Sequence, residues 1–171
     1  MDAADTIADI GAGAGFPGLV LAAVLPDARV DLIEAAARKC RVIERLAGAA
    51  RLANARAIAE RAESWGAGDG ALAYDVVTAR ALAPMATLVE YAAPLLRDGG
   101  GLIAYKGARD PGEECAGLSA AGAVGLELVA VSSVQPFPQS RVRHLHHFRK
   151  ARPTPDRFPR RPGMARKRPL A

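Results

Sequence analysis

The sequence predicts a doubly wound α/β domain whose sheet is mostly parallel, with one antiparallel edge strand. Short runs rich in β-branched residues alternate with longer alanine-rich stretches along the chain. This alternation is typical of parallel strands joined by helical crossovers. A glycine-rich segment directly follows the first of these runs. The last two predicted strands have no helix between them, so we expect them to pair antiparallel at one edge.

The first half of the chain alternates strands and helices. A helix is expected over 19–25, after the glycine-rich segment. A second helix is expected over 38–50, and its apolar spacing puts five side chains on one face: Val42, Ile43, Leu46, Ala47 and Ala50. Four strands are predicted here, over 6–10, 30–33, 55–59 and 74–78.

A further helix and a fifth strand follow. Pro84 is expected to open the helix, at a position that tolerates a missing N–H. Residues 98–101, an aspartate and three glycines, are expected to end that unit before a strand over 102–105. The predicted buried stripe of the helix contains Met85, Leu88, Ala92 and Leu95.

The end of the chain is predicted to be less regular. From Pro153 onward, frequent prolines and dense charge predict no regular element. We therefore interpret the chain as one α/β domain over 1–150 and a basic Pro/Arg-rich tail over 151–171. Before that tail, a weak helix and two final strands are expected over 113–123, 126–134 and 145–149.

Charge is distributed unevenly along the chain. Residues 141–171 contain eleven Lys and Arg and one acid, so they carry a net charge of +10. The first 140 residues contain twelve Lys and Arg and seventeen acids, and carry −5. A mildly acidic body with a basic end indicates a polyanionic partner. A solvated, disordered tail is the alternative.

Several classes of protein are excluded or disfavoured. No apolar run reaches the 18 or more residues of a membrane span, and the acidic start over 1–5 is unlike a signal peptide. Cys40 and Cys115 are too far apart for a zinc motif and too few for a disulfide scaffold. The histidines near 146 have no clustered acid or cysteine, so no metal site is predicted. We expect a cytoplasmic protein without a membrane partner.

The glycine-rich segment is the most informative motif. It contains the pattern acid-x-Gly-x-Gly-x-Gly from Asp9 to Gly15, between a strand and a helix. The dinucleotide fingerprint needs a glycine where Phe16 stands. Glycines let a ligand lie against backbone N–H groups, and the Asp9 carboxylate suits a cationic sulfonium and ammonium better than a pyrophosphate. S-adenosylmethionine is therefore favoured over NAD, with a purely structural turn as the alternative.

Other candidates follow the next strands, where such sheets bind ligands. Glu34 ends the second strand, at the place of a carboxylate that binds ribose hydroxyls. A backbone N–H near Ala62 or the Glu63 carboxylate could contact adenine. Arg80 ends the fourth strand and could meet the ligand carboxylate or an RNA phosphate. Each could instead be an ordinary surface residue.

At this point the chain resembles the ribosomal RNA small subunit methyltransferase G family, also called the glucose-inhibited division protein B family. The resemblance runs from Asp9 to Leu170. It rests on five motifs: DIGAGAGFPG, ERAESW, YDVVTARALAPM, LIAYKG and TPDRFPRRPGMARKRPL.

The resemblance implies a bacterial, cytoplasmic enzyme with a Rossmann-like class I methyltransferase fold. Such an enzyme uses S-adenosylmethionine to methylate N7 of one guanosine in the 530 loop of 16S rRNA. Its partner would be the 30S subunit, contacted by the basic tail, and a monomer is expected. The implied cofactor contacts are Gly11, Phe16, Ala62, Glu63 and Arg80; spacing adds Asp9, Gly13 and Glu34.

The chain departs from the family pattern at its start. Family members carry a helical segment before the first strand, which here begins within ten residues of Met1. A mis-assigned start, a truncated form and a genuine short variant all stay open. A segment of this kind would cover part of the site.

The implied chemistry needs no catalytic side chain. Guanine N7 has a free lone pair and loses no proton on methylation, so no general base is expected. Three other functions stay open as alternatives: a small-molecule methyltransferase, a non-catalytic RNA-binding remnant and an NAD-dependent oxidoreductase.

Overall fold

The computed structural model describes residues 6–170, which form one seven-stranded sheet flanked by helices. The acidic start over 1–5, on which the expectation of no signal peptide rests, lies outside the described residues. The strands are β1 (Thr6–Ile10), β2 (Arg29–Ile33), β3 (Ala55–Ile58), β4 (Tyr74–Arg80), β5 (Leu96–Lys106), β6 (Leu126–Val134) and β7 (Arg143–Lys150). The helices are α1 (Gly18–Val24), α2 (Ala37–Ala49), α3 (Ala62–Gly66), α4 (Met85–Ala92), α5 (Pro111–Val124) and α6 (Met164–Lys167).

The strand order β3-β2-β1-β4-β5-β7-β6 is that of a doubly wound sheet. The first five strands in this order are parallel, and β7 pairs antiparallel with both β5 and β6. The predicted fold class is thus confirmed. β7 lies between β5 and β6, so that β6 is the edge strand at this end of the order and β3 at the other. The direction of winding reverses between β1 and β4, which places a ligand crevice at their carboxyl ends.

Two apolar clusters hold the helices to the sheet. On one face, α1 and α2 bury Leu19 and Ile43 against Val30 and Leu32 of β2. On the other face, α3, α4, α5 and α6 pack over the middle of the sheet, and α4 is buried all round. This second layer explains why the predicted stripe of α4, including Leu95 just beyond its end, is fully buried.

The buried face of α2 differs from the predicted one. Val42 and Leu46 are 42% and 41% exposed, whereas Cys40, Ile43 and Ala47 face the sheet. The prediction is confirmed for Ile43 and Ala47 and wrong for Val42, Leu46 and Ala50. The predicted set covered two neighbouring rows of the helix, and only the row with Cys40, Ile43 and Ala47, at three- and four-residue spacing, packs on the sheet.

The glycines expected to end the α4 unit belong instead to β5, which begins at Leu96. The pairing of β4 with β5 shifts register between Tyr74 and Val76. At Gly100, an added Cβ would lie 2.9 Å from the Asp75 carbonyl oxygen. The glycines therefore allow a bulge in the strand rather than a turn before it.

The end of the chain is more structured than predicted. Residues 164–167 form the short helix α6, where no regular element was expected. Phe158 is 8% exposed and Ala165 1%, and both belong to the main apolar cluster. Thr154 Oγ1 donates to the carbonyl oxygens of Ala93 and Val124, at 3.2 and 3.1 Å. These long-range contacts order a segment whose local propensity is low.

Candidate functional site

The glycine loop joins β1 to α1 at the point where the sheet reverses its winding. Gly11 and Gly15 have φ values of +65° and +99°, which side chains rarely adopt. An added Cβ at Gly11 would lie 2.5 Å from Leu82 Cδ1, and one at Gly15 would lie 2.4 Å from Leu19 Cδ1. The loop therefore needs glycine for its conformation and because the side chains of Leu82 and Leu19 pack closely against it.

The Asp9 carboxylate links the glycine loop to the sheet through hydrogen bonds. Its side chain is buried; Oδ2 accepts from Gly18 N at 2.9 Å and Oδ1 accepts from Thr78 Oγ1 at 2.9 Å. Burial raises the pKa of Asp9 to about 6, and the two hydrogen bonds and Arg80 partly oppose that rise. Asp9 lies beneath the loop and lines neither cavity described below. Its geometry is that of a positioning residue.

Glu34 holds the loop from the side. It follows β2, is 8% exposed, and accepts from Gly13 N at 3.1 Å and from Ala36 N at 2.9 Å. Lys39 Nζ lies 3.5 Å from Oε2. A carboxylate has about four acceptor positions, so Glu34 retains capacity for a ligand hydroxyl.

A cavity of about 380 Å³ opens beside these groups, at the carboxyl ends of the first four strands. Its size is within the roughly 300–1,000 Å³ usual for small-molecule sites. We call it the glycine-loop cavity. Its lining comprises Gly11, Ile33, Glu34, Ala35, Lys39, Glu60, Arg61, Ala62, Glu63, Ala81, Leu82, Tyr91 and Arg166.

Glu63 forms the far wall of the glycine-loop cavity, in the first turn of α3. It is 6% exposed, and its Oε1 accepts from Gly163 N at 2.8 Å. Ala62 lies beside it, also in the wall. The C-terminal segment therefore reaches the site, because Gly163 is a hundred residues away in the chain.

A second cavity, of about 590 Å³, adjoins the first, and Ala81 lines both. We call it the basic cavity. Three cationic side chains line it, from Arg80, Lys106 and Arg143, together with the ring of Tyr105. Burial raises the pKa of Tyr105 above its ordinary value. An anion or a flat aromatic group fits this lining.

The three cations of the basic cavity are not equivalent. Lys106 Nζ is paired with Glu113 of α5 and lies 3.4 Å from the Ala83 carbonyl oxygen. Arg80 and Arg143 form no ion pair with any residue in 6–170. Arg80 and Arg143 are therefore the cations available to an incoming anion.

The structure gathers most of the predicted site residues. Gly11, Glu34, Ala62 and Glu63 line the glycine-loop cavity, whereas Arg80 lines the basic cavity. The remaining three belong to the loop and its support: Gly13 donates to Glu34, Asp9 lies beneath, and Phe16 is 47% exposed beside Pro17 of the basic cavity.

Sequence reasoning missed several lining residues, among them five with charged or aromatic side chains that a ligand could contact. Lys39 stands five positions after Glu34, a spacing that could have indicated it. No local signal marks the others, because they come from distant elements. These are Tyr91 and Arg166 in the glycine-loop cavity, and Tyr105 and Arg143 in the basic cavity.

The glycine-loop cavity has the features that S-adenosylmethionine requires. The Gly11 backbone lines the cavity without a side chain, and the Glu34 carboxylate can accept from a ribose hydroxyl. The loop offers backbone rather than bulky side chains near a charged ligand. Among residues 6–170, no group of three or more potential ligands is arranged to hold a metal ion.

A third cavity, of about 530 Å³, lies at the opposite end of the sheet. It is lined by the start of β4 and by Ile103 and His147 on the open face of β5 and β7. None of the predicted site residues contributes to it. No helix of the described part of the chain is long and apolar enough to cross a membrane.

Comparison with known proteins identifies the family of the chain. The family model described as rRNA small subunit methyltransferase G matches residues 1–140. A protein of that name from Chloroflexus aggregans is 43% identical over 164 residues, covering 95% of this chain and 68% of the relative. Another from Roseiflexus castenholzii is 37% identical over 170 residues, covering 99% and 72%.

Solved structures support the fold. A predicted O-methyltransferase from Agrobacterium tumefaciens has a TM-score of 0.67 at 26% identity, covering 86% of this chain and 74% of that one. The antibiotic-resistance methyltransferase Kmr has a TM-score of 0.70 at 18% identity, covering 88% of both chains. The resemblance inferred from the motifs is confirmed, and the chain belongs to the rRNA small subunit methyltransferase G family.

Proposed function

We propose that this chain transfers a methyl group from S-adenosylmethionine to N7 of a guanosine in the 530 loop of small-subunit rRNA. Family membership supports an S-adenosylmethionine-dependent rRNA methyltransferase. One geometric observation carries the proposal further. A glycine-lined cavity bearing carboxylates and a basic cavity with an aromatic wall adjoin at Ala81. The methyl donor and the guanosine would then occupy neighbouring cavities that share Ala81 as a wall residue.

The glycine-loop cavity is the proposed cofactor site. Glu34 would bind the ribose hydroxyls, and Ala62 and Glu63 would contact the adenine. The backbone of Gly11 and Gly13 would lie against the methionyl part. Asp9 would act by holding the loop, and Phe16 and Arg80 would border the methionyl end.

The basic cavity is the proposed acceptor site. Arg80 and Arg143 are free to bind RNA phosphates. Tyr105 provides a ring on which an unstacked base can lie, and proteins commonly bind exposed RNA bases by such stacking. N7-methylguanine is cationic, so an aromatic face also suits the product.

The proposed catalysis depends on positioning the methyl group against guanine N7. Bound S-adenosylmethionine supplies an electrophilic methyl group on a sulfonium. The chain needs no general base, because guanine N7 has a free lone pair and loses no proton. Its residues would align the two groups and exclude water, an effect worth up to roughly 7–11 kcal/mol in favourable cases. We place this reaction in the bacterial cytoplasm and on a monomer.

The decisive experiment is transfer of a labelled methyl group to 30S subunits and to rRNA that lacks the modification. Nucleoside analysis is expected to give N7-methylguanosine, and mapping is expected to locate it in the 530 loop. A different methylated nucleoside would overturn the assigned position. Transfer to small molecules but not to RNA would favour a small-molecule methyltransferase, and RNA binding without cofactor affinity would favour a non-catalytic remnant.

The exposed cations of the C-terminal segment are expected to act on RNA affinity. Lys167 and Arg168 are exposed and directly follow Arg166, which lines the glycine-loop cavity. The double variant Lys167→Gln/Arg168→Gln should weaken rRNA binding. It should also make the slope of the log binding constant against log salt concentration less steep by about 1.5, the value for two lost phosphate contacts. Binding titrations between 50 and 200 mM salt test this, with cofactor affinity as the control. An unchanged slope would remove these two residues from the RNA interface.

A further inference from the structure

The C-terminal segment forms part of the wall of the proposed cofactor site. We call residues 158–168 the strap. Phe158 and Ala165 anchor it in the apolar cluster beneath α4, and Thr87 Oγ1 of α4 donates to the Ala165 carbonyl oxygen at 3.3 Å. The strap reaches the glycine-loop cavity at two points, through Gly163 and Arg166.

One ion pair fixes the strap. Arg160 donates to Glu90 of α4 through two parallel bonds, Nε to Oε1 at 2.6 Å and Nη2 to Oε2 at 2.5 Å. Glu90 is only 2% exposed. Arg160 Nη2 also donates to the Arg168 carbonyl oxygen at 2.8 Å, which closes the strap on itself. Such paired, charge-assisted bonds impose a definite geometry on the chain that carries the arginine.

The position of the strap also fixes a hydrogen bond to the Glu63 carboxylate. Gly163 stands three residues after Arg160 with φ at +83°, and its N–H donates to Glu63 Oε1. Glu63 Oε2 accepts no hydrogen bond within residues 6–170, although the side chain lines the cavity. The strap therefore occupies one carboxylate oxygen and leaves the other for a ligand.

The neighbouring Arg161 gives a direct contrast. It adjoins Arg160, carries the same charge and is exposed, and its side chain has no ion pair with the described residues. If the basic segment acted only through its charge toward RNA, the two arginines would be equivalent. The structure gives only Arg160 a buried partner.

We propose that the strap is a positioning element of the cofactor site, in which Arg160 holds Gly163 against Glu63 and thereby orients the Glu63 carboxylate toward the adenine. Arg166 completes the same wall. This inference rests on the proposed function, since it assumes that the glycine-loop cavity binds S-adenosylmethionine. The basic tail is predicted from the sequence to contact RNA, and this inference gives part of that tail a role in cofactor binding as well.

The test compares Arg160→Met with Arg161→Met, which remove the same charge from adjacent positions. The readout is the Kd for S-adenosylhomocysteine, measured by calorimetry in the absence of RNA. We expect Arg160→Met to raise the Kd about tenfold, as for one charge-assisted hydrogen bond lost at the ligand. Arg161→Met should leave the Kd unchanged. Amide exchange at Gly163 should be faster in Arg160→Met and unaltered in Arg161→Met.

The outcomes separate this inference from the proposed function. If the unmodified chain does not bind S-adenosylhomocysteine, the proposed function fails. If it binds, and both variants bind equally well, the strap has no positioning role and the inference is overturned. Should Arg160→Met not fold, Arg160→Lys carries the test, because lysine keeps the charge without the paired bonds. A Kd for Arg160→Lys equal to that of Arg161→Met would overturn the inference.

Discussion

Replacing Glu34 by alanine is expected to lower the affinity for S-adenosylmethionine about 100-fold. One hydrogen bond from a ribose hydroxyl to the carboxylate, worth about 1.5–3 kcal/mol, accounts for most of a loss of this size. The substitution also removes the acceptor for Gly13 N and Ala36 N, so the glycine loop loses a lateral support. Both effects act on the same side of the cavity.

Calorimetry with S-adenosylhomocysteine checks this result, with Glu44→Ala as the matched control. Glu44 lies on the exposed side of α2 and its loss changes the net charge equally. Glu34→Gln keeps the side-chain shape and should fall between the wild type and Glu34→Ala. An unchanged Kd in Glu34→Ala would remove this residue from the site.

Replacing Asp9 is expected to have the largest effect on stability. Asp9→Ala leaves Gly18 N and Thr78 Oγ1 without their buried acceptor, which costs about 1–3 kcal/mol for each group. Asp9→Asn should be milder, because its oxygen can accept from Gly18 while its amide donates to Thr78. Urea unfolding measures both variants, and Asp27→Asn on the surface is the control.

The pH dependence of this effect has a definite sign. The pKa of Asp9 is about 6 in the folded chain and 3.8 when unperturbed. Between these values the folded state binds more protons than the unfolded state, so the free energy of unfolding falls as pH rises. The stability of the wild type relative to Asp9→Asn should fall by about 2 kcal/mol from pH 3.8 to 6. Parallel curves for the two proteins would contradict the raised pKa.

Local sequence signals predicted the frame of the fold accurately. β1 begins and ends at the predicted residues, and α5 extends the expected helix over 113–123 by two residues at the start and one at the end. These elements are marked by β-branched runs or by an acidic, proline-led start, so each carries its own signal. The glycine loop was likewise identified, because strand, turn and helix are adjacent in sequence.

Contacts between residues that are far apart in the sequence could not be predicted. Asp9 was expected to face the ligand, but its acceptor capacity is directed to Thr78, which is 69 residues away. Arg160 and Arg161 are indistinguishable in sequence, and only the position of Glu90 on α4 separates them. Side chains in an α/β domain find such partners through the packing of layers, which no local pattern encodes.

The hydrogen bond between Gly163 and Glu63 also bears on how the chain is synthesised. The chain is synthesised from its N-terminus, so β1, the glycine loop and α3 are made well before the strap. A nascent chain that has not yet reached Gly163 can pair its parallel strands but cannot complete the wall around Glu63. Cofactor capture would then be delayed until the strap is made. Because β7 lies between β5 and β6 and directly precedes this segment in the chain, the sheet and the ligand site would be completed at nearly the same time.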